Sequence, residues 1–201
     1  HRRDDRYWKI GITLPNIDIA HDQLSRAGVA VSDPVQFGDI GYMCHLNDPE
    51  DFPIELLQHR FLGHRRDRDG NPDMPLGGGA RLGQITLRVT DLPGAIAFYR
   101  DRLGMKLLSV QPVPDFDFVL YFLAFTDENP PVTDLEAVEN REWLWQRPYT
   151  TLELQHFEQK KSGFALPDDG CPGFDSLLVT GAGHSTTCLW DEAGGTVYVA
   201  P

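Results

Sequence analysis

The chain holds 201 residues, 41% hydrophobic and 24% charged, enough for a real core in one domain with room for an appendage. Its 18 Lys and Arg against 30 Asp and Glu leave a net charge of −12, which disfavours nucleic acid and gives a membrane surface no polybasic patch. No apolar run approaches the roughly 18 residues of a spanning helix. The three cysteines, Cys44, Cys171 and Cys188, lack C-x-x-C spacing and read as reduced thiols of a cytoplasmic protein rather than as a thiolate zinc site. No signal peptide is read, although the chain begins at His1 without Met, which leaves room for an upstream segment.

Residues 7–14 (Tyr-Trp-Lys-Ile-Gly-Ile-Thr-Leu) read as a strand. Asn16 caps a helix through Ala27, along which Ile17, Ala20, Leu24 and Ala27 recur at helical spacing, and Gly28 suits the position after its end. Residues 29–31, 41–46 and 53–58 read as short strands, with turn chemistry at 47–51, so the order is β-α-β-β-β. Residues 61–79 alternate Arg with Asp and end on Gly77-Gly-Gly; they read as a linker or exposed loop without a phosphate-binding fingerprint. The plan then repeats. Residues 84–89 form a strand, Asp91 caps, Pro93 sits in the first turn, and Ile96, Tyr99 and Leu103 form a stripe before Gly104. Residues 105–110 and 118–125 are strands, 126–147 a polar insert, and 150–154 the closing strand. The tail is less regular, with strands expected over 173–180, 185–190 and 196–199. The resulting division is a module at 6–60, a linker at 61–79, a module at 80–157, and a β-rich tail at 158–201, either a plain β extension or a degenerate third module.

Each copy closes on a strand with a carboxylate at its middle: Pro53-Ile-Glu55-Leu-Leu and Thr151-Leu-Glu153-Leu. A carboxylate within an apolar strand must be paired, neutralised or bound to a cation. Two such strands brought together aim Glu55 and Glu153 into one pocket. The plain alternative is a pair of strand carboxylates facing solvent, which alternation permits. Phe116, Phe118, Tyr121, Phe122 and Phe125 alternate too little for a dedicated aromatic box and read mostly as core. Trp143 and Trp145 read as packing residues, with a pocket wall as the alternative. His156 falls on the strand face opposite Glu153. His21, His45, His59, His64 and His184 show no paired metal-ligand spacing, and no G-x-S-x-G supports a nucleophilic serine.

Residues 82–157 resemble the first module of glyoxalase I, within the vicinal oxygen chelate superfamily. The resemblance rests on Gln84-Ile-Thr-Leu-Arg-Val-Thr-Asp, Ala97-Phe-Tyr-Arg-Asp-Arg-Leu-Gly-Met-Lys-Leu-Leu, Leu120-Tyr-Phe-Leu-Ala-Phe, Trp143-Leu-Trp and Thr151-Leu-Glu-Leu-Gln-His. Residues 8–58 are similar to the second module through Lys9-Ile-Gly-Ile and Asp48-Pro-Glu-Asp-Phe-Pro-Ile-Glu-Leu-Leu. This order reverses that of the simple two-module enzyme, as expected for the inner part of a four-module ancestor.

The resemblance implies an α+β fold of paired β-α-β-β-β modules whose curved sheets form a cup around one divalent metal ion, zinc or nickel. Carried over by position, Gln84 and Glu153 match the first-module metal ligands. Glu55 matches the second-module ligand that also handles the substrate proton. Glu55 and Glu153 are therefore the catalytic candidates. Arg88 matches a residue that grips a glutathione carboxylate and, with Lys9, is a substrate-binding candidate. Lys9 stands where the family usually has a His ligand. A protonated ammonium has no lone pair and repels a metal cation, so Lys9 is expected to supply tethered positive charge between the two carboxylates. The implied activity is that of a lactoylglutathione lyase-like lyase or isomerase: cation-assisted proton abstraction beside a carbonyl, on a small molecule such as a thiol adduct of a 2-oxoaldehyde. The alternative is a non-catalytic binding or sequestering protein, or a pseudoenzyme, using the same cup. A homodimer stays open as the assembly.

Overall fold

The computed structural model describes residues 2–160, 162–168, 175–180 and 186–201. Cys171, His184 and the expected strand starts at 173 and 185 lie outside the described residues. The order is β1 (Tyr7–Leu14), α1 (Ile17–Arg26), β2 (Val35–Phe37), β3 (Gly41–Asn47), β4 (Pro53–Gln58), β5 (Arg81–Val89), α2 (Leu92–Ile96), β6 (Lys106–Val113), β7 (Phe118–Ala124), α3 (Glu139–Trp145), β8 (Thr151–His156), β9 (Ser176–Thr180), β10 (Thr187–Trp190) and β11 (Thr196–Ala200). The first eight strands form one mixed, curled sheet in the order β2-β3-β4-β1-β5-β8-β7-β6. Each module supplies four neighbouring strands, and the two opening strands, β1 and β5, meet antiparallel at the seam. Each closing strand runs parallel to its own opening strand: β4 along β1 and β8 along β5.

Alternation explains why this sheet curls around something. On β1 the residues Ile10, Ile12 and Leu14 face one way and Lys9, Gly11 and Thr13 the other. The same split puts Ile85, Leu87 and Val89 opposite Gln84, Thr86 and Arg88 on β5, and Leu152 and Leu154 opposite Thr151, Glu153 and Gln155 on β8. The apolar set packs under the helices. Leu14, Ile17, Ala20, Cys44 and Leu56 form one core with α1; Leu87, Val89, Phe98, Tyr99, Leu123 and Leu154 form another beyond α2. The polar set shares the concave face and is nonetheless buried.

Asn16 caps α1 by accepting from the Asp18 and Ile19 amides, and buried Gln58 accepts from Ile17 N–H at 3.0 Å. Gly28 follows the helix at φ 78°, where a side chain would be strained. The second helix differs from its expected form. After α2 it widens into π-type turns over Ala97–Arg102, with Leu103 N–H reaching the Phe98 carbonyl. The strand expected at 29–31 reduces to one bridge at Val31; β2 forms at 35–37 instead. The insert read as merely polar contains α3, whose Leu144 and Trp145 join the core with Ile40, Leu57 and Phe122, with Trp145 also lining the cup.

In the tail, β10-β11-β9 form a separate small sheet on the α2 side, where Val197 joins the second core. Its link to the opening strand is ionic. Buried Arg6 donates to Asp191 at 2.5 Å and to Glu192 at 3.2 Å, and the Tyr99 hydroxyl donates to Asp191 at 2.7 Å. Among the described residues no helix is long and apolar enough to cross a membrane.

Candidate active site

The strand register carries Glu55, Lys9, Gln84 and Glu153 to the same place. Across the four central strands, Glu55 pairs with Gly11, Gly11 with Gln84, Lys9 with Thr86, and Thr86 with Glu153. Ile10 opposite Ile85 marks a local two-fold axis, which relates Lys9 to Gln84, Gly11 to Thr86 and Glu55 to Glu153. These four of the five sequence candidates line one cavity of about 250 Å³, with Trp8, His45, Phe118, Phe122, Trp145 and Gln155 among its walls. Glu153 is 0% exposed, Glu55 3% and Lys9 4%, so the solvent-facing reading of these carboxylates does not hold.

The hydrogen bonds divide the two carboxylates. Glu55 Oε2 takes the Lys9 ammonium and lies 3.1 Å from His45 Nε2. Glu153 Oε2 accepts from the Thr86 hydroxyl at 2.9 Å and from Gln84 Nε2 at 2.6 Å. The same Gln84 nitrogen donates to Glu55 Oε1 at 3.0 Å and so bridges the two. Glu153 Oε1 and Gln84 Oε1 are buried with no partner among the described residues. Such orphaned acceptors in a cavity are positions for a ligand's donor. The bridge depends on Gly11: a Cβ there would fall 2.4 Å from Gln84 Cγ, so any larger residue displaces the Gln84 side chain.

Burial pushes both carboxyl groups up, but the neighbours decide the outcome. At Glu55 the Lys9 ammonium and then the His45 hydrogen bond overcome burial and hold the pKa near 2. At Glu153 burial prevails, opposed by the more distant Lys9 charge and reinforced by the Glu55 carboxylate, and the pKa is pushed up to about 7. Burial alone would lower the pKa of Lys9, yet Glu55 and Glu153 together hold it above its usual value, so the amine is charged at neutral pH. The Lys9 ammonium also lies over the Trp8 ring, 4.3 Å from its centroid.

Arg88 sits outside this cavity. It lines an adjoining cleft with Arg3, Lys160, Phe157 and Phe164, and the cleft shares Trp8, Phe116, Phe118 and Gln155 with the cup. Its guanidinium is held by Gln155 Oε1 at 3.2 Å and by the Asp5 carbonyl at 3.0 Å, and burial lowers its pKa to about 10. Sequence reasoning missed Trp8, Gly11, His45 and Thr86. For Thr86 the signal was present, two residues after Gln84 on the same strand face. For His45 it was not, because only the cross-strand pairing with Glu55 brings it in. Phe116, Phe118 and Phe122, read mostly as core, line the cup, as does Trp145; Trp143 packs on the core behind it.

A curled sheet of two β-α-β-β-β modules, with four opening- and closing-strand positions converging in its hollow, defines a protein class, and comparison with known proteins gives the same one. Residues 81–164 match the model of the Glyoxalase/Bleomycin resistance protein/Dioxygenase superfamily. The chain is 28% identical over 194 residues to lactoylglutathione lyase of Schizosaccharomyces pombe, covering 94% of this chain and 56% of that protein. It is 35% identical over 82 residues to lactoylglutathione lyase of Oryza sativa, covering 41% of this chain and 23% of that protein. Glyoxalase I from Zea mays superposes with a TM-score of 0.60 at 17% identity, covering 96% of this chain and 66% of the other. The second module thus matches the glyoxalase superfamily, and the chain as a whole is similar to glyoxalase I in fold and, at 28% identity, to lactoylglutathione lyase in sequence. It spans about half or less of the curated relatives it matches.

The resemblance to glyoxalase I implies a divalent metal for a cup of this kind. The donor set here does not fit one. Beside two carboxylates and an amide oxygen, the fourth converging position presents an ammonium already ion-paired to Glu55. Among the described residues no group of three or more His, Cys, Asp or Glu is placed to hold a metal ion. At an effective dielectric constant of about 20, a single and a double positive charge roughly 5 Å apart repel by ~7 kcal/mol.

Proposed function

We propose that the cup is the active site of a glyoxalase I-like lyase or isomerase that moves a proton beside a carbonyl, with a thiol adduct of a 2-oxoaldehyde as the substrate class. The observation that carries this reading is the pair of buried carboxylates joined through Gln84 and driven apart in acidity by unlike neighbours. Such a split separates a group that stays ionised from one that exchanges its proton near neutrality. Glu153, with a pKa near 7, takes the proton-transfer role that the resemblance gives to Glu55, because Glu55 is neutralised by Lys9. The Glu153 carboxylate removes the proton from the carbon beside the carbonyl. The C–H electron pair forms the C=C bond of an enediolate, the carbonyl π pair moves onto oxygen, and Lys9 supplies positive charge for the anion. The hydroxyl proton of the first carbon passes to the oxygen of its neighbour, the oxygen left behind forms the thioester carbonyl, and the C=C pair takes the proton from Glu153 at the neighbouring carbon, which completes an isomerisation without an external redox partner. Trp8, Phe118, Phe122 and Trp145 keep water from the intermediate. Arg88, with Arg3 in the adjoining cleft where Asp4 already pairs with Lys160, gives an anionic arm of the thiol a place to lie.

The test is thioester formation and solvent-deuterium incorporation at the former ketone carbon, with the glutathione adduct of a 2-oxoaldehyde as substrate. Wild type is expected to catalyse both. Glu153→Gln should lose about 10²- to 10⁴-fold in turnover, the range typical of general-base catalysis. Full activity in Glu153→Gln, or binding of the adduct by wild type with no exchange, sinks the reading; the second result describes a sequestering protein.

A further inference from the structure

We propose that the Lys9 ammonium is the resident cation of this cup and that it occupies the place of a divalent ion, so that the site binds neither zinc nor nickel until Lys9 is replaced. The inference concerns the site proposed above, and its test is read without turnover.

Three observations point the same way. The first is symmetry. The two-fold relation through Ile10 and Ile85 pairs Lys9 with Gln84 as Glu55 is paired with Glu153, so the four side chains are two copies of one opening- and closing-strand pair. Three of the four offer oxygen to the hollow. The fourth offers a cation.

The second is the state of those oxygens. Glu55 Oε2 is already taken by Lys9 and has His45 beside it, whereas Gln84 Oε1 and Glu153 Oε1 are buried acceptors without partners. The acceptors of a metal site are present and positioned; the position that would complete it is filled by a charge of the same sign as the ion. A tethered ammonium and a hydrated divalent ion are alternative ways to balance the same two carboxylates.

The third is that Lys9 is built in. Its stem runs along a buried strand, its ammonium sits over Trp8, and Glu55 holds it from the neighbouring strand. To admit an ion, a lysine so fixed must first break its buried ion pair with Glu55, a carboxylate 3% exposed, and leave its place over Trp8.

The experiment is a calorimetric titration of the purified chain with zinc chloride and with nickel chloride after chelator dialysis, repeated on Lys9→His and on Lys9→His with Glu153→Gln. Wild type is expected to take up no stoichiometric ion. Lys9→His should bind one ion per chain, at least ~10²-fold tighter than wild type, since the repulsive charge is exchanged for an imidazole lone pair. Adding Glu153→Gln should remove most of that gain, which places the ion in the cup and not on surface histidines. One chelatable ion per wild-type chain overturns the proposal. So does a folded Lys9→His chain with no gain, or a gain that survives Glu153→Gln. Should Lys9→His not fold, the wild-type titration alone decides: uptake of one ion refutes the proposal, and its absence supports it. A cup that excludes metal yet turns over the adduct separates this inference from the reading of function, as does one that binds metal and does not.

Discussion

In the first half of the sheet, Glu55 has the Lys9 ammonium and the His45 ring beside it. At the corresponding place in the second half, Glu153 has the Thr86 hydroxyl and the Phe122 ring, and the Gln84 amide donates to both carboxylates. The residue, the strand position and the depth of burial are the same. Only the neighbours differ, and one carboxyl is held near pKa 2 while the other is pushed to about 7. Duplication supplies two equal acids at the seam; the side chains across one strand make them unequal. The lesson is that the acid–base identity of a buried carboxylate is set by the adjacent strand rather than its own.

The comparison breaks most severely at Lys9. Lys9→Met leaves Glu55 ionised, buried and unpaired, and is expected to cost on the order of 3–5 kcal/mol in urea unfolding at pH 7. Adding Glu55→Gln should restore most of the loss, because the uncompensated charge goes with it; equal instability of the double and single variants would mean that packing, not charge, holds Lys9.

Next in size is the pH dependence. Glu153 has a raised folded-state pKa, about 7 against 4.5 for an ordinary Glu, so its contribution to stability is complete below pH 4.5 and lost as the pH rises through 7. Glu55 behaves oppositely: its stabilisation is present above pH 4.5 and lost as the pH falls toward 2. Glu153→Gln should therefore be more stable than wild type at pH 8 by about 3 kcal/mol, with the excess vanishing near pH 4.5. Parallel stability–pH curves for the two proteins would show that Glu153 does not titrate in this window.

A smaller effect sharpens the link between the halves. Gly11→Ala places a methyl group where Gln84 crosses the seam. It should cost about 1–3 kcal/mol and uncouple the two carboxyls, so that turnover falls more than substrate binding. The least effect is expected at His45, which is half-exposed. His45→Ala should destabilise by no more than ~1 kcal/mol and raise the pH at which Glu55 protonates, seen as an earlier acid limb in circular dichroism.

Much of this architecture could be read along the chain, because a two-residue period over Lys9 to Thr13, Gln84 to Val89 and Thr151 to Gln155 separates the faces before any contact is known. Glu55 and Glu153 stood out for the same reason: each is an acid amid aliphatic neighbours. What stayed hidden was whatever depends on pairing between strands distant in sequence. His45 reaches Glu55 only through the β3–β4 register, and Trp8, read as one residue of a strand, becomes the floor under an ammonium. The α3 segment escaped because its buried set, Asn140, Arg141, Leu144 and Trp145, includes two polar residues. Asn140 earns its burial by bonding the backbone of Val132 and Asp134, a partnership that no helical period announces.

The tie between Arg6 and Asp191 has a consequence for biosynthesis. The guanidinium emerges from the ribosome 185 residues ahead of its counter-ion. At about 5–20 residues per second that interval is roughly 10–40 s. Throughout it, the guanidinium at the root of the strand bearing Lys9 is met by water instead of by its acidic partners. The Arg6 end of the sheet is therefore closed from water only after the tail is made, so docking of the small tail sheet is expected to be a late event in folding.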